Sequence, residues 1–341
     1  MAASTMMSGF TKYLSDIFRG FNTNVYRHLT TDLGQVPYVP RRALMYIPAS
    51  DEKKLAKILS LSADCLVLDC EDGVAVTRKT AARENCAKLL SDVSFTRPAG
   101  SELGVRINSA QSGLMDEDLR VLSEASTLPD AIMLPKVDDL TCLGLFSSSF
   151  RRHFPKSKFT DESTVRLVLW IESADALLQM RDILKAAVGI QHHLPVIADA
   201  VVFGSDDFCA DIGATRSAGA TELLYARQKF VVTCKAFKLQ AIDVVYIDYK
   251  DLNGLKKQCE EAAAWGFTGK QVIHPSQIPI VQETFLPSAE KIDWARQLIT
   301  EFEAHKQSGQ GAFTFRDQMI DMPLLLQAKN IVQLAESVLK K

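Results

Sequence analysis

The chain has 341 residues, of which 47% are hydrophobic and 23% charged, enough apolar material for a large core and too much for a disordered or collagen-like chain. Lys and Arg total 39 against 41 Asp and Glu, a net charge of −2, so the electrostatics give no reason to expect nucleic acid or an anionic membrane as partner. No apolar run reaches the roughly 18 residues that a spanning helix needs.

Residues 1–40 carry Lys12, Arg19 and Arg27 against only Asp16 and Asp32, with many Ser and Thr. Basic, hydroxyl-rich and acid-poor is the composition of a mitochondrial transit peptide; an untargeted N-terminal extension is the alternative. From Arg42 onward, short apolar runs alternate with longer helical patterns. The runs are Ala43–Pro48, Cys65–Cys70, Gly104–Asn108, Ala131–Val137, Val165–Ile171, Ala200–Gly204, Val244–Ile247 and Gln271–His274. Between them Glu52–Leu61, Lys79–Leu90, Glu117–Ser126, Ala174–Ala187, Glu222–Phe237 and Leu255–Ala264 place Leu and Ala at three- and four-residue spacing. Continuous apolar runs suit strands buried on both faces of a parallel sheet. Eight such units predict an α/β fold, a TIM (β/α)8 barrel, over residues 41–290. A doubly wound open sheet would carry a Gly-rich loop after its first strand, and Pro48-Ala49-Ser50 is not one.

Beyond the barrel, residues 291–341 read as a C-terminal helical arm. Lys291–Lys306 and Leu324–Leu339 are helical, Ser308-Gly309-Gln310-Gly311 breaks the pattern, and Ala312–Leu326 is apolar but irregular. An apolar arm beyond such a break is expected to pack on a neighbouring subunit. The seven cysteines (65, 70, 86, 142, 209, 234 and 259) include no CxxC and no zinc-spaced cluster, so they read as reduced thiols of an intracellular protein.

In a barrel of this type chemistry sits where the strands end. Here the ends are polar: Ser50-Asp51-Glu52-Lys53-Lys54, Asp69-Cys70-Glu71-Asp72, Arg106-Ile107-Asn108, Pro135-Lys136, Glu172-Ser173, Ser205-Asp206-Asp207 and His274-Pro275. Glu172 and Asp207 end neighbouring strands, and two carboxylates without His or Cys suit a hard cation such as Mg²⁺. Helix capping, or pairing with a barrel arginine, is the structural alternative. Arg106 ends an apolar strand and needs an anion: a substrate carboxylate or enolate, or simply Glu71 or Asp72. Lys53 and Lys57, four apart, share a helix face that could meet phosphates or only water. His274 is by itself a structural histidine, or one that offers only its backbone. No Ser-His-Asp or Cys-His arrangement and no Walker loop is present.

Several stretches carry a resemblance in order: RRALMYIP (41–48), LVLDCEDGV (66–74), VRINS (105–109), MLPKV (133–137), VVFGSDDFCADIGA (201–214), LYARQK (224–229), GFTGKQVIHPSQI (266–278), and GAFTF with MIDMPLL within 311–326. Over about residues 40–335 the chain resembles the citrate lyase β-subunit-like proteins of the HpcH/HpaI aldolase family. The resemblance implies a TIM barrel, Mg²⁺-dependent carbon–carbon chemistry on CoA thioesters and small 2-oxo acids, a homotrimer and a mitochondrial matrix location.

By position, the resemblance makes Glu172 and Asp207 the metal ligands and Arg106 the residue for substrate and enolate. Tyr46, Lys53, Lys57 and the Ile273-His274 backbone become CoA contacts. Asp321, on the arm, becomes the catalytic acid/base, capping the site of an adjacent subunit among Met319, Met322 and Leu324. Many relatives have Glu where this chain has Asp206; Asp207 is taken as the ligand because it holds the second position of the pair. The implied reaction is cleavage of (3S)-citramalyl-CoA to acetyl-CoA and pyruvate. Malate synthase, β-methylmalate synthase and malyl-CoA thioesterase are expected side activities. The competing expectations are malate synthase or malyl-CoA lyase as the main activity, a subunit of a citrate lyase complex, or an aldolase acting on free hydroxy acids.

Overall fold

In a computed structural model, residues 38–155, 157, 159, 164–217, 219–307, 313–316 and 318–339 are described. The proposed transit segment up to residue 37 and the Ser308–Gly311 break lie outside them. Eight parallel strands close into a barrel in chain order: β1 Ala43–Pro48, β2 Cys65–Asp69, β3 Glu102–Arg106, β4 Ala131–Leu134, β5 Val165–Ile171, β6 Val196–Phe203, β7 Gln240–Asp243 and β8 Gly269–Val272. The intervening helices are α1 Glu52–Leu55, α2 Lys79–Ser91, α3 Met115–Ser123, α4 Leu140–His153, α5 Ala174–Gly189, α6 Ser205–Ile212, α7 Leu224–Ala236, α8 Leu252–Trp265 and α9 Ile278–Thr284. The arm comprises α10 Ala289–Gln307, a hairpin of β9 Phe313–Phe315 with β10 Gln318–Ile320, and α11 Met322–Leu339. The fold is thus the expected α/β barrel with a helical arm.

The two-residue period of a strand divides the core into two layers. Leu44, Cys65, Val67, Ala131, Met133, Val168, Trp170, Ala200, Val202 and Ile242 fill the lumen. Their neighbours, among them Met45, Leu66, Leu68, Val105 and Leu169, pack outward in the larger core that includes the helices. The same parity decides which polar residues reach the mouth. Asp69 follows Cys65 and Val67 at two-residue steps, and Glu172 follows Val168 and Trp170. Asp69 is also paired in register with Arg106 of β3.

Below this packing lies a polar floor. Arg41 hydrogen-bonds Glu102 and Asp199, and Arg166 pairs with Asp199 as well. Asp199 enters as the extra residue of a bulge, because Leu167 pairs with Ala198 and Val168 with Ala200.

Some elements differ from expectation. The seventh strand is Gln240–Asp243 rather than Val244–Ile247. Its polar residues are buried with partners: Gln240 donates through its amide nitrogen to the Val39 carbonyl (2.9 Å), its Oε1 staying unpartnered, and Asp243 accepts from Arg227 (2.8 and 2.9 Å) and Lys270 (2.8 Å). The apolar run after it is loop. The helix expected over Glu52–Leu61 stops at Leu55 and gives way to a 3₁₀ turn at Ile58–Ser60. Ile58 alone is fully buried in that segment, so little packing rewards a continued α-helix. Lys53 and Lys57 therefore lie on a helix and on the turn after it, both exposed. Helix α4, rich in Ser with a Gly, and the short α6 were not anticipated. Burial of Leu143, Phe146 and Phe150 at helical spacing holds α4 together.

The arm buries its apolar residues mainly on itself. Ala295, Leu298 and Phe302 of α10, Phe315 and Ile320 of the hairpin, and Leu325 and Ala328 of α11 form a cluster separate from the barrel cores.

Candidate active site

Strand β2 ends in Asp69, whose carboxylate does three things. Oδ1 accepts from the Glu71 amide and Oδ2 from the Gly73 amide (both 2.9 Å), which folds the turn after the strand. Both oxygens then accept from Arg106, at 2.7 and 2.8 Å. A Cβ at Gly73 would lie 2.5 Å from Asp69 Oδ2, so the turn needs glycine there. Arg106 is buried, and its guanidinium lies 4.7 Å from the centroid of the Tyr46 ring beneath it. Tyr46 is itself braced: its hydroxyl donates to Gln271 (2.6 Å) and accepts from Trp170 Nε1 (3.2 Å). Burial, first of all, drives the Tyr46 phenol further from ionisation. The Arg106 charge persists despite burial because Asp69, and after it Glu71, holds it.

Around this pair the mouth is acidic. Glu71 Oε2 sits 3.0 Å from Arg106 in a charge contact without an aligned hydrogen bond. Lys136 reaches Glu71 (3.2 Å), Asp72 (3.3 Å) and Asp207 (3.7 Å). Among the described residues Asp69, Glu71, Asp72 and Asp207 thus pair with Arg106 or Lys136, and Glu172 is a fifth acid within their electrostatic reach. Burial pushes the Glu71 carboxyl up, with the Asp72 charge adding to it. Partial burial also acts on Asp72, but the hydrogen bond with Glu71 and the charges of Arg106 and Lys136 take it below the usual carboxylate range.

Glu172 is the most displaced of the group. Burial, then the charges of Glu71 and Asp207, push its carboxyl up to about 8. Its Oε2 is buried without a hydrogen-bond partner, an arrangement that costs about 1–3 kcal/mol unless something meets the oxygen. The capping alternative does not apply, since Ser173 caps α5 by accepting from the Ala176 amide (3.2 Å). Gly204 makes room for Glu172: a Cβ there would stand 2.6 Å from Oε1.

Asp206 and Asp207 separate cleanly. Asp206 pairs with Arg216, which also donates to Ser205 Oγ (2.7 Å) and to the Val245 carbonyl. Asp207 reaches Lys136 (3.7 Å), and its charge acts on the Glu172 carboxyl. Among the described residues no three His, Cys, Asp or Glu side chains converge into a metal cage. Glu172 and Asp207 nonetheless suit a cation that takes one or two carboxylates and completes its shell with water and substrate. The unpartnered Glu172 oxygen and the surplus of acid are what such an ion would satisfy.

Other expected residues lie around the rim or away from it. Ile273 and His274 follow β8, and both their amides donate to Gln277 Oε1 (2.9 and 3.2 Å). The His274 ring stacks on Tyr249 at 4.7 Å, beside the exposed Ile247 and Ile273. Asp321 is exposed on the arm and caps α11, accepting from the Leu324 amide (3.2 Å). It makes none of the contacts that join Arg106, Glu172 and Asp207. Met319 and Met322 beside it are 80% and 53% exposed, so these methionines do not cover it.

Sequence reasoning named Asp69 and Lys136 among the polar strand ends without giving either a role, and did not reach Arg216. Asp69 was detectable as an acid at the lumenal parity of an apolar strand. Lys136 carries a backbone signal that only coordinates reveal: its φ is +50°, a left-handed conformation that costs a non-glycine residue about 1–2 kcal/mol.

Comparison with known proteins agrees with this geometry. Residues 42–275 match the family described as HpcH/HpaI aldolase/citrate lyase. The mitochondrial citramalyl-CoA lyase of Mus musculus is 50% identical over 318 residues, covering 93% of each chain. The L-malyl-CoA/β-methylmalyl-CoA lyase of Cereibacter sphaeroides is 28% identical, over 89% of this chain and 96% of its own. The crystal structure of CitE from Mycobacterium tuberculosis in complex with magnesium, acetoacetate and coenzyme A superposes with a TM-score of 0.65 at 28% identity, over 87% of this chain and 98% of that one. The match spans all eight strands and the acidic mouth they build, and with it this chain belongs to the HpcH/HpaI aldolase/citrate lyase family, as an enzyme of the carbon–carbon lyase class.

Proposed function

We propose that the chain is a Mg²⁺-dependent lyase that splits a 3-hydroxyacyl-CoA thioester into an acyl-CoA and a 2-oxo acid, with (3S)-citramalyl-CoA giving acetyl-CoA and pyruvate. The observation that carries the reading is the buried, unpartnered Glu172 carboxyl, within electrostatic reach of Asp207 and of the clamped Arg106. The relatives' names support the substrate class: the mouse protein is a citramalyl-CoA lyase, and the mycobacterial structure holds magnesium and coenzyme A.

Glu172 and Asp207 would hold the ion. When bound, Mg²⁺ lowers the pKa of the substrate alcohol and takes up charge on the forming oxo acid. The chain's own groups do the rest. Arg106 is oriented by Asp69 and Tyr46, so its remaining guanidinium surface is set before substrate arrives. It stabilises the enolate oxygen as the acetyl-CoA fragment separates. The alcohol proton leaves to solvent as the C–C bond breaks, and Asp321, donated by a neighbouring copy in a trimer, supplies a proton to the enolate carbon. Its exposed position among exposed methionines suits a group that needs another subunit to desolvate it. Tyr46 lies inside the lumen, which suits the thioester end of the CoA. Lys53 and Lys57 at the rim suit its phosphates, and the Ile273–His274 segment offers a carbonyl, its amides being already engaged.

In reverse the same groups would condense an acyl-CoA with a 2-oxo acid; acetyl-CoA or propionyl-CoA with glyoxylate, followed by hydrolysis of the thioester by water, would give malate or β-methylmalate, the malate synthase, β-methylmalate synthase and malyl-CoA thioesterase activities. A mitochondrial matrix location is part of the same reading, from the composition of residues 1–40 and the relatives' names. The deciding experiment is a coupled assay for pyruvate release from citramalyl-CoA by the purified chain. Activity abolished by EDTA and restored by Mg²⁺ is expected. Faster turnover of malyl-CoA would make the Cereibacter-type activity the main one, and activity only with added partner subunits would make the chain a component of a citrate lyase complex.

A further inference from the structure

Lys136 occupies an unusual place at the mouth. It follows Pro135 at the end of β4, in a left-handed backbone conformation that a lysine adopts only against steric resistance. From there its ammonium reaches carboxylates on two other strand ends: Glu71 and Asp72 after β2, and Asp207 on α6 after β6. Among the described residues it is the cation in contact with Asp207, one of the two proposed metal ligands, while Glu172, the other, has an unpartnered oxygen. Its side chain is 32% exposed, so a path to water is open. Gln111 donates to its carbonyl at 3.2 Å, which ties down the backbone while leaving the side chain free to swing.

We propose that Lys136 acts as a resident counter-cation: its ammonium balances the Glu71, Asp72 and Asp207 carboxylates in the metal-free enzyme and swings out when a divalent ion takes Asp207. This rests on the reading of Glu172 and Asp207 as ligands. The physical reason is charge. Carboxylates in excess at one strand-end cluster repel each other, and an ammonium on a flexible stem is a cation that can be withdrawn without unfolding the site. A device of this kind keeps the mouth preformed at low metal and sets a threshold for loading, because each ion bound must first displace the lysine.

The test is Mn²⁺ binding followed by electron paramagnetic resonance, with melting temperatures in EDTA and in saturating Mg²⁺, for the full chain and for Lys136→Met, Lys136→Gly and Glu172→Gln. Removing the competing ammonium should tighten Mn²⁺ binding about tenfold, the size of one unit of differential charge interaction. It should also lower the melting temperature in EDTA more than in Mg²⁺, so that the metal-induced rise grows. Lys136→Gly, which removes the charge together with the backbone strain, should show the same gain in affinity and serves if the methionine variant folds poorly. A lysine that is only a strut would lower both melting temperatures equally with no change in affinity, and one that orients the ligands would weaken Mn²⁺ binding; either result overturns the proposal. If the unaltered chain binds no Mn²⁺, or Glu172→Gln binds it equally well, the metal reading fails and this inference with it.

Discussion

The two ends of the barrel lumen solve the same electrostatic problem in opposite ways. At the floor, two arginines meet two carboxylates, Arg41 and Arg166 against Glu102 and Asp199, and the charges are matched within the group. At the mouth, five carboxylates face Arg106 and Lys136, and one buried oxygen of Glu172 has no partner. Buried charge is tolerable when paired, so a matched cluster is structure. An unmatched one costs stability and is retained only where something else completes it, which is why imbalance, rather than burial, marks the site.

The comparison can be broken most decisively at Glu172. Glu172→Gln should cut the lyase rate by at least about 10³-fold, since metal and charge stabilisation is lost together. Melting temperature in EDTA should hold or rise, because a neutral amide no longer resists burial. A large loss of stability would put Glu172 with the floor residues.

A loss nearly as large is expected for Asp321→Asn, on the order of 10²–10⁴-fold in turnover with Mn²⁺ and CoA affinity retained. Mixed with Glu172→Gln after dissociation and reassembly, it should regain part of the activity. No regain would mean that each subunit uses its own arm.

The floor gives the converse. Glu102→Gln leaves Arg41 buried with a weakened partner and should cost about 3–5 kcal/mol of stability in urea unfolding, while the protein still folded keeps its kcat. A selective loss of kcat would show that the floor is coupled to the chemistry.

A pH series sharpens the contrast. The Glu172 carboxyl titrates near 8 in the folded, metal-free chain and at the ordinary carboxylate value when unfolded. The folded state therefore binds the extra proton, and the stability it contributes is full below about pH 4.5 and lost as pH rises through about 8, by up to about 1.4 kcal/mol per unit. Unfolding in EDTA should show this slope, Glu172→Gln should remove it, and Mg²⁺ should flatten it by replacing the proton. The smallest effect belongs to the rim. Lys53→Glu should raise the KM for the CoA thioester severalfold without changing kcat, whereas a free hydroxy acid substrate would leave KM unmoved.

Much of the barrel was legible because strands buried on both faces read as apolar runs. Val165–Ile171 and Ala43–Pro48 match the observed bounds. The seventh strand was not, because Gln240 and Asp243 are buried only by virtue of partners far away in the chain, Val39, Arg227 and Lys270. At the mouth, strand-end polarity pointed to Arg106, Glu172 and Asp207 and included Asp69, but that Arg106 pairs chiefly with Asp69 rather than with Glu71 or Asp72 was not legible. That Asp206 is engaged elsewhere, by Arg216 ten residues away on a loop, was likewise not legible.

Sequence alone determined that this chain is an eight-unit α/β barrel with acids, an arginine and lysines at its strand ends, since two-residue and 3.6-residue periods follow from backbone geometry and need no partner. Tertiary structure decided which of those charges are matched. That depends on distances between side chains brought together by barrel closure, and it is this closure that leaves Glu172 buried and unpaired, Asp206 tied away, and Lys136 bent into the acidic mouth.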